Sequence, residues 1–593
     1  MITDRLTALR RAMLENQIDA YVIPSTDPHQ SEYPAPRWAS REYLSGFTGS
    51  AGTLVVTLHE AKLWTDGRYF LQANTQLAGS GIELMKDRQT GTPTIEEWLG
   101  STLLEGQTVG VDGRVVSVQS ARRMRRRLED NGLRLVTDED LVRRVWTDRP
   151  VVPNEPVYEH TPDFSGEAWQ DRLVRLTEWM EEKGVDYYLV AALDEVAWLL
   201  NIRGNDIDHN PLAVAYFVAG RKGDHALFAE PRPNFSLWTE NVPSGHELAC
   251  YHYADVSTYL RRANAVDADV ALDAATASVR LHMHAGGDKV TELTSPIPGW
   301  KAIKGEAAQE HIRQTMRHDA VALLRLRRWL ETAVGDGVTE YEVSQKLIVL
   351  RREQPHYVTE SFPAIVGYGG NGAIIHYKPT AEGAAKLKPQ GLLLLDSGGQ
   401  YHTGTTDITR TFALGEVSAE MREAYTRVLQ GHIDLATARF PAGTSGAQLD
   451  VLARHALWRN LQDYGHGTGH GVGYFLNVHE GPMGISQYPN TPRAQYPLAA
   501  GMVLSNEPGY YAEGAYGIRI ENLVVVQPTG KEGWLEFETV TLFPLDRALI
   551  VQPLLTRDQV EWIDAYHERV LTEVGPLLSE EEFGWLREAC KNL

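Results

Sequence analysis

The residues best suited to chemistry lie in the second half of the chain, where carboxylates and histidines stand beside glycine-rich and strand-like segments. Residues 392–395 form a predicted buried strand that ends in Asp396, and Asp407 opens an alternating strand eleven residues later. A strand hairpin would bring the two aspartates together. Because an unpaired carboxylate beside an apolar core is costly, this pattern favours a cation as their partner. A surface turn with two solvated aspartates is the alternative.

Three histidines share a second segment, HGTGHGVGYFLNVHEG, at residues 466–481. His466, His470 and His479 lie among glycines, which let the backbone approach a ligand closely. A single histidine in such a loop is more often a hydrogen-bonded structural residue, but three together favour a functional site. His376, which follows two isoleucines, is a weak signal by itself.

Two glutamates complete the set, each in an apolar or strand-like setting. Glu507 follows the apolar run 502–504, and Glu521 lies in an Ile/Val-rich strand with Arg519 on the same face. A structural salt bridge between Arg519 and Glu521 is the alternative to a metal site.

Together these residues give four carboxylates and one histidine, an oxygen-rich donor set. Such a set excludes thiolate zinc and iron–sulfur sites. It favours two divalent ions, with Mn²⁺ ahead of Co²⁺ and Zn²⁺. Carboxylates can bridge two ions about 3.5–4 Å apart, which is the geometry of a two-metal hydrolase.

The elements that must position these residues belong to the last of three predicted domains. Residues 4–24 align without gaps with residues 171–191, at an offset of 167. Each copy has the pattern of an amphipathic helix, a turn and an apolar strand, and further apolar runs follow both. Two similar α/β domains are therefore predicted, with chance similarity as the alternative.

Two boundaries follow from the composition along the chain. Four prolines lie in the stretch 147–166, and a second boundary falls near residues 301–309. The predicted domains are thus 1–150, 151–308 and 309–593. The third begins with a long predicted helix from His311 to Val334 and ends in a polar helical tail.

Composition limits the class of protein. The chain has 593 residues and a formal net charge of −21, which disfavours nucleic acid as a partner. The two cysteines, Cys250 and Cys590, provide neither a disulfide framework nor a Cys-rich zinc site, as suits a cytoplasmic protein. The N-terminus predicts an amphipathic helix rather than a signal peptide, and no apolar run is long enough to predict a membrane span.

The ordered set Asp, Asp, His, Glu, Glu, with its flanking residues, resembles the pita-bread metallopeptidases, which include methionine aminopeptidase, prolidase and aminopeptidase P. Within this family the chain is most similar to the long, three-domain, cytosolic type of aminopeptidase P. The resemblance covers nearly the whole chain and rests on motifs such as SGFTGSAGT, DSGGQYHTGTTDITRTF, HGTGHGVGYFLNVHEGP and GIRIENLVVV.

This resemblance implies an α/β (α+β) fold, with two similar N-terminal domains of creatinase N-terminal type before a pita-bread catalytic domain. It implies a homodimeric, dinuclear metal-dependent exopeptidase that hydrolyses the N-terminal Xaa-Pro bond of peptides with proline in second position. The nucleophile implied is a water or hydroxide that bridges the two metal ions. A bond to proline is a tertiary amide without an N–H, so a proline-shaped pocket must recognise it.

The resemblance also implies roles for the metal ligands. One metal ion is expected on Asp396, and the other on His470 and Glu507. Asp407 and Glu521 are expected to bridge the pair. Glu507 is in addition the expected proton shuttle.

Further roles are implied around the ligands. His376 and His479 are expected to hold the substrate carbonyl and stabilise the oxyanion. His466 and Phe362 are expected to line the pocket for the proline ring. Arg519 is expected at the substrate-binding side of the site, where it and Thr409 would fix ligand carboxylates.

Three alternatives remain at this point. A prolidase, which cuts only Xaa-Pro dipeptides, would resemble the chain around the metals but lack a full extra N-terminal domain. A non-catalytic relative would keep the fold and lose metal ligands. Creatinase-like chemistry without metal is also disfavoured by the intact ligand set.

Overall fold

The structure is a computed structural model that describes residues 1–231 and 236–593. Two compact units are present, and the first comprises Met1–Thr161 and Glu167–Ile297. Within the described residues, no helix is long and apolar enough to cross a membrane.

The first unit begins with a six-stranded sheet and its helices. The strands are β1 (Ala20–Ile23), β2 (Thr53–Thr57), β3 (Ala61–Thr65), β4 (Glu83–Lys86), β5 (Thr108–Val111) and β6 (Arg134–Val136). The helices are α1 (Ile2–Glu15), α2 (Ser40–Ser45), α3 (Phe70–Gln76), α4 (Ile95–Thr102), α5 (Val118–Glu129) and α6 (Leu141–Val145).

The chain continues into a second sheet. Strands β7 (Tyr158–Glu159) and β9 (Ile202–Arg203) pair in a separate two-stranded sheet. The six strands of the second sheet are β8 (Tyr187–Val190), β10 (Ala215–Gly220), β11 (Asp224–Ala229), β12 (Glu247–Tyr251), β13 (Val270–Leu272) and β14 (Thr291–Glu292). The helices of this stretch of chain are α7 (Pro162–Ser165), α8 (Trp169–Lys183), α9 (Leu193–Leu199), α10 (Ser236–Glu240), α11 (Val256–Ala265), α12 (Val279–Ala285) and α13 (Ile297–Ala302). Of these, α7 and nearly all of α13 belong to the second unit.

The two six-stranded sheets of the first unit share one topology. Their strand orders are β4-β3-β2-β1-β5-β6 and β12-β11-β10-β8-β13-β14. In each sheet the first strand pairs antiparallel with the second in sequence and parallel with a later one. The repeated apolar positions of α1 and α8, such as Leu9 and Leu176, are completely buried. This agrees with the repeat predicted from the sequence.

The second unit comprises Pro162–Gly166 and Pro298–Leu593. Its later helices are α14 (Glu306–Ala333), α15 (Glu340–Arg352), α16 (Ala419–Ala436), α17 (Gly446–Trp458), α18 (Pro492–Gln495), α19 (Arg557–Val574) and α20 (Glu580–Ala589). Helix α14 begins at Glu306, earlier than the predicted start at His311, because the residues between them also favour helix. The predicted helical tail is α19 with α20.

The strands of the second unit are β15 (Tyr357–Glu360), β16 (Ile365–Tyr368), β17 (Leu392–Ser397), β18 (Gly399–Tyr401), β19 (Gly404–Thr405), β20 (Ile408–Ala413), β21 (Arg439–Pro441), β22 (Gly469–Gly471), β23 (Glu480–Ile485), β24 (Val503–Asn506), β25 (Gly509–Ala512), β26 (Tyr516–Arg519), β27 (Asn522–Pro528) and β28 (Trp534–Thr539). The sheets that carry the candidate site have the orders β16-β17-β20 and β21-β28-β27-β24-β22-β23. In both sheets, neighbouring strands are antiparallel.

The predicted pairing of the two aspartate strands is present, although the connection is not a simple hairpin. Strands β17 and β20 pair antiparallel, with Asp396 opposite Thr409. The Gly- and Thr-rich connection forms β18 and β19, which pair with each other and belong to a separate sheet with β15. The alternation of β17 and β20 still brings Asp396 and Asp407 to the same end of the pair.

Candidate metal centre

All five predicted metal ligands lie in the second unit, at or beside the end of a strand. Asp396 lies in β17, Asp407 directly precedes β20, and His470 is the middle residue of β22. Glu507 directly follows β24, and Glu521 directly precedes β27. Because Asn506 of β24 pairs with Asn522 of β27, the two glutamates adjoin the same end of this strand pair.

The side chains form a tight cluster of donor atoms. One ligand atom from each of Asp407, His470 and Glu521 lies within 4.8 Å of the others. His470 Nε2 is 3.5 Å from Asp407 Oδ2 and 3.6 Å from Glu507 Oε1. These separations are too long for strong hydrogen bonds and leave the lone pairs converging on a common space.

The electrostatics of the cluster also call for cations. Burial raises the pKa of Asp407 well above its usual range, and repulsion from Asp396 and Glu507 raises it further. Burial likewise raises the pKa of Glu521 well above its usual range, with added repulsion from Asp407, Asp396 and Glu507. Asp396 Oδ1 is buried without a hydrogen-bond partner. A pair of divalent ions would offset the repulsion between these buried carboxylates and would give Asp396 Oδ1 a partner.

The backbone around His470 fixes which ring nitrogen faces the cluster. His470 Nδ1 lies 2.9 Å from the backbone oxygen of Gly471, which can only accept a hydrogen bond. Nδ1 is therefore protonated, and Nε2 is left as the metal-facing nitrogen.

The glycines beside His470 serve strand packing. A Cβ atom on Gly469 would collide with the backbone oxygen of Ser505, and one on Gly471 with that of Glu480. The sequence predicted that these glycines let the backbone approach a ligand. In the structure they let β22 lie closely against β24 and β23, and His470 is thereby held in place.

Arg519 and Thr409 hold the ligand carboxylates from outside the cluster. Arg519 Nη2 donates to Asp396 Oδ2, and its Nε donates to Thr409 Oγ1 at 3.2 Å. Thr409 Oγ1 in turn donates to Glu521 Oε2 at 2.8 Å. The ion pair of Arg519 is thus with Asp396, and the salt bridge to Glu521 considered from the sequence is not formed.

Tyr511 is a site residue that the sequence did not reveal. Arg519 Nη1 donates to the Tyr511 hydroxyl at 2.7 Å, and that hydroxyl lies 2.8 Å from His466 Nε2. His466 Nδ1 faces the backbone oxygen of Gly467 at 2.7 Å, so Nε2 accepts from Tyr511. A continuous chain of hydrogen bonds therefore joins Asp396 to His466. The sequence carried no signal for Tyr511 beyond its place in a short strand.

The two histidines predicted to stabilise the oxyanion lie in different surroundings near the cluster. The rings of His479 and His470 pack edge to face, with centroids 4.3 Å apart, so His479 borders the cluster directly. His376 is half-buried and follows Ile375, whose backbone oxygen accepts from Arg519 Nη2 at 3.4 Å.

Phe362 is half-buried on the connection between β15 and β16. Its neighbour Ser361 donates to the backbone oxygen of Thr406 at 2.9 Å, directly before Asp407. Phe362 thus lies on a segment that runs beside the cluster.

Family comparisons match nearly the whole chain in four segments. Residues 310–528 match metallopeptidase family M24, and residues 533–593 match the C-terminal region of that peptidase family. Residues 5–145 and 148–308 each match the creatinase/prolidase N-terminal domain.

Curated relatives match over nearly their full length. The chain is 40% identical over 607 residues to a probable Xaa-Pro aminopeptidase P of Laccaria bicolor, covering 100% of this chain and 94% of that protein. It is 38% identical over 614 residues to Xaa-Pro aminopeptidase 1 of Dictyostelium discoideum, covering 100% and 97% respectively.

Solved structures give the same result. The crystal structure of X-prolyl aminopeptidase from Caenorhabditis elegans, described as a cytosolic enzyme with a di-nuclear active site, superposes with a TM-score of 0.93 at 35% identity. This match covers 100% of both chains. The Xaa-Pro dipeptidase of Bacillus anthracis matches with a TM-score of 0.51 at 22% identity, and covers 64% of this chain and 99% of its own. That second match shows the fold alone.

Proposed function

The chain belongs to metallopeptidase family M24, and we propose that it is a metal-dependent aminopeptidase that releases the N-terminal residue preceding proline. The family matches confirm the predicted fold class, with two N-terminal domains of creatinase type before a pita-bread catalytic domain. The domain division 1–150, 151–308 and 309–593 is part of the proposal.

One observation carries this function: a cluster of buried carboxylates and one histidine, in a chain that matches Xaa-Pro aminopeptidases from end to end. The alternative of a prolidase is disfavoured because the relatives that match along the whole chain are Xaa-Pro aminopeptidases. The intact donor set likewise disfavours a non-catalytic relative and metal-free chemistry.

Two divalent ions are proposed on Asp396, Asp407, His470, Glu507 and Glu521, with Asp407 and Glu521 shared between them. Bound ions of this kind polarise a scissile carbonyl and lower the pKa of the attacking water. The resident metal is proposed to be Mn²⁺, because carboxylates with one imidazole suit a borderline-hard ion. The orphaned Asp396 Oδ1 supports a bound cation at this carboxylate.

Side chains around the cluster are proposed to handle the proton and the developing charge. Burial raises the pKa of Glu507, which suits a base that takes the proton of the attacking water and delivers it to the leaving proline nitrogen. His479 and His376 are proposed to donate hydrogen bonds to the oxyanion of the tetrahedral intermediate.

Recognition of proline is proposed to depend on His466 and Phe362. The Tyr511 hydroxyl engages His466 Nε2, and the imidazole ring lies beside the aromatic rings of Tyr464 and Tyr511, with centroids 4.9 and 5.4 Å apart. Such a surface suits a pyrrolidine ring, which has no N–H to donate. Arg519 would act on this pocket through Tyr511 and on the metal side through Asp396.

The oligomeric state, the cellular location and the partners of the enzyme are also part of the proposal. A homodimer was implied by the family resemblance. A cytoplasmic location is supported by the Caenorhabditis elegans relative, which is described as cytosolic. Peptides with proline in second position are the proposed partners.

A substrate panel tests the function. Peptides of the type Xaa-Pro and Xaa-Ala, from dipeptides to nonapeptides, would be compared by kcat/KM. We expect Xaa-Pro peptides longer than a dipeptide to be cleaved, with discrimination against Xaa-Ala of at least about 10²-fold, because a shaped pocket must reject the smaller ring-less residue. Cleavage of dipeptides alone would instead identify a prolidase.

Metal restoration tests the ion. After chelation, Mn²⁺ is expected to restore activity better than Mg²⁺. Mg²⁺ prefers water-rich octahedral sites and is a poor match for a protein cage with a histidine ligand. Activity would be measured against added metal concentration, with elemental analysis at each point. Equal restoration by Mg²⁺ would contradict the proposed donor chemistry.

A further inference from the structure

A buried histidine lies behind the two metal glutamates and plays no part in the mechanism above. His432 belongs to helix α16 and is 0% exposed. It contacts β24 and β27, the paired strands whose last pair, Asn506 and Asn522, directly adjoins Glu507 and Glu521.

The strand register explains why a residue on this side bears on both glutamates. Asn506 and Asn522 are directly opposite each other across β24 and β27. Glu507 and Glu521 are the next residues along the two strands. The asparagine side chains hydrogen-bond His432, whereas the glutamate side chains face His470 and Thr409, so the asparagines point away from the metal cluster.

His432 ties the two asparagines together. Its Nδ1 is 3.1 Å from the backbone oxygen of Asn506, and Asn506 Nδ2 donates to the backbone oxygen of His432 at 2.9 Å. On the other strand, Asn522 Nδ2 is 3.0 Å from His432 Nε2. One imidazole therefore spans the ladder immediately behind the glutamate pair.

Arg410 determines the direction of these hydrogen bonds. Its Nη2 donates to Asn522 Oδ1 at 2.8 Å, which leaves the Asn522 amide nitrogen to donate to His432 Nε2. His432 then carries its proton on Nδ1 and donates to Asn506. Burial, aided by Arg410, lowers the pKa of His432 to about 3, so the imidazole is neutral. Each of these hydrogen bonds, from Arg410 through Asn522 and His432 to Asn506, therefore has one donor and one acceptor.

We propose that His432 is a positioning residue that sets the separation of Glu507 and Glu521 and thereby the affinity of the centre for its metal pair. The proposal rests on the two-metal function proposed above. Hydrogen-bond partners behind metal ligands orient those ligands, and their loss typically weakens metal binding by about 10–100-fold. His432 would act on both glutamates at once, through the residues beside them.

The test uses His432→Ala and His432→Gln in the full chain, with His567→Ala as a matched control. His567 is also a buried imidazole in the same unit, and it accepts from the backbone nitrogen of Leu545 at 3.2 Å. Mn²⁺ dissociation constants would be measured on metal-stripped protein by calorimetry, and thermal melting would be recorded for each variant without metal.

We expect His432→Ala to weaken Mn²⁺ binding by about 10–100-fold. His432→Gln should recover part of the loss, since its amide offers a donor and an acceptor. His567→Ala should melt earlier but bind Mn²⁺ as the wild type does. Equal Mn²⁺ affinity in wild type and His432→Ala would overturn the proposal, as would equal weakening in His567→Ala.

Two further outcomes remain distinguishable. If His432→Ala does not fold, His432→Gln becomes the test variant. It must then bind Mn²⁺ more weakly than the wild type, and equal affinity would overturn the proposal. If the wild type binds two Mn²⁺ ions but cleaves no Xaa-Pro peptide, the proposed function fails while the role of His432 in metal binding is still decided by the dissociation constants.

Discussion

Glu521→Gln and Asp407→Asn are each expected to lose most bound metal and nearly all turnover while the fold survives. Each change removes one negative charge at a position proposed to be shared by two close cations, whose mutual repulsion that charge offsets. We expect kcat to fall by more than about 10³-fold, beyond the loss of a single oxyanion donor, because the nucleophile itself depends on the metals. The measurements are elemental analysis, thermal melting and steady-state kinetics on the same preparations.

Asp546→Asn provides the matched control. Asp546 is a largely buried carboxylate whose pKa is raised by burial, and it accepts hydrogen bonds from the backbone nitrogens of Ala413 and Ala548. Neutralising it should change stability but leave metal content and kcat near the wild-type values. A Glu521→Gln protein that retains two metals per chain and the wild-type rate would show that the shared ligands have been misplaced.

The clustering of the candidate ligands could be predicted because its signals are local. Asp396 ends an apolar run, Asp407 opens an alternating one, and both are visible within a few residues of sequence. The repeat of the first unit could be predicted for the same reason, since helix–strand units with matching core positions recur at a fixed offset. Short-range periodicity and composition are properties that a sequence displays directly.

Which carboxylate Arg519 pairs with could not be predicted from residue spacing, because it depends on the register between strands. Residue spacing places Arg519 near Glu521. In the structure its guanidinium pairs with Asp396, and Thr409 lies between Arg519 and Glu521 in the hydrogen-bond network. Tyr511 was missed for the same reason, since its hydroxyl meets His466 and Arg519 only after the chain has folded. Which long-range neighbours fill a site is decided by tertiary packing, which no local pattern encodes.

His479→Ala is expected to lower kcat by on the order of 10²–10³, as when an oxyanion donor is lost. His479 borders the cluster through its edge-to-face contact with His470 and is not among the proposed ligands. The variant should therefore stay folded and keep its metals. The loss should appear in kcat as well as in kcat/KM, because a bond to the oxyanion strengthens in the transition state. Steady-state kinetics, metal content and thermal melting on one preparation provide the measurements.

The competing interpretation is that His479 only supports the core around His470. In that case, turnover would fall in proportion to the folded fraction, and melting would account for the whole effect. Two variants sharpen the comparison: His376→Ala should behave like His479→Ala, whereas His466→Ala should lose discrimination for proline more than it loses metal. A folded, metal-replete His479→Ala enzyme with near-normal kcat would refute the oxyanion role, although the metal centre itself would stand, because its ligands do not include His479.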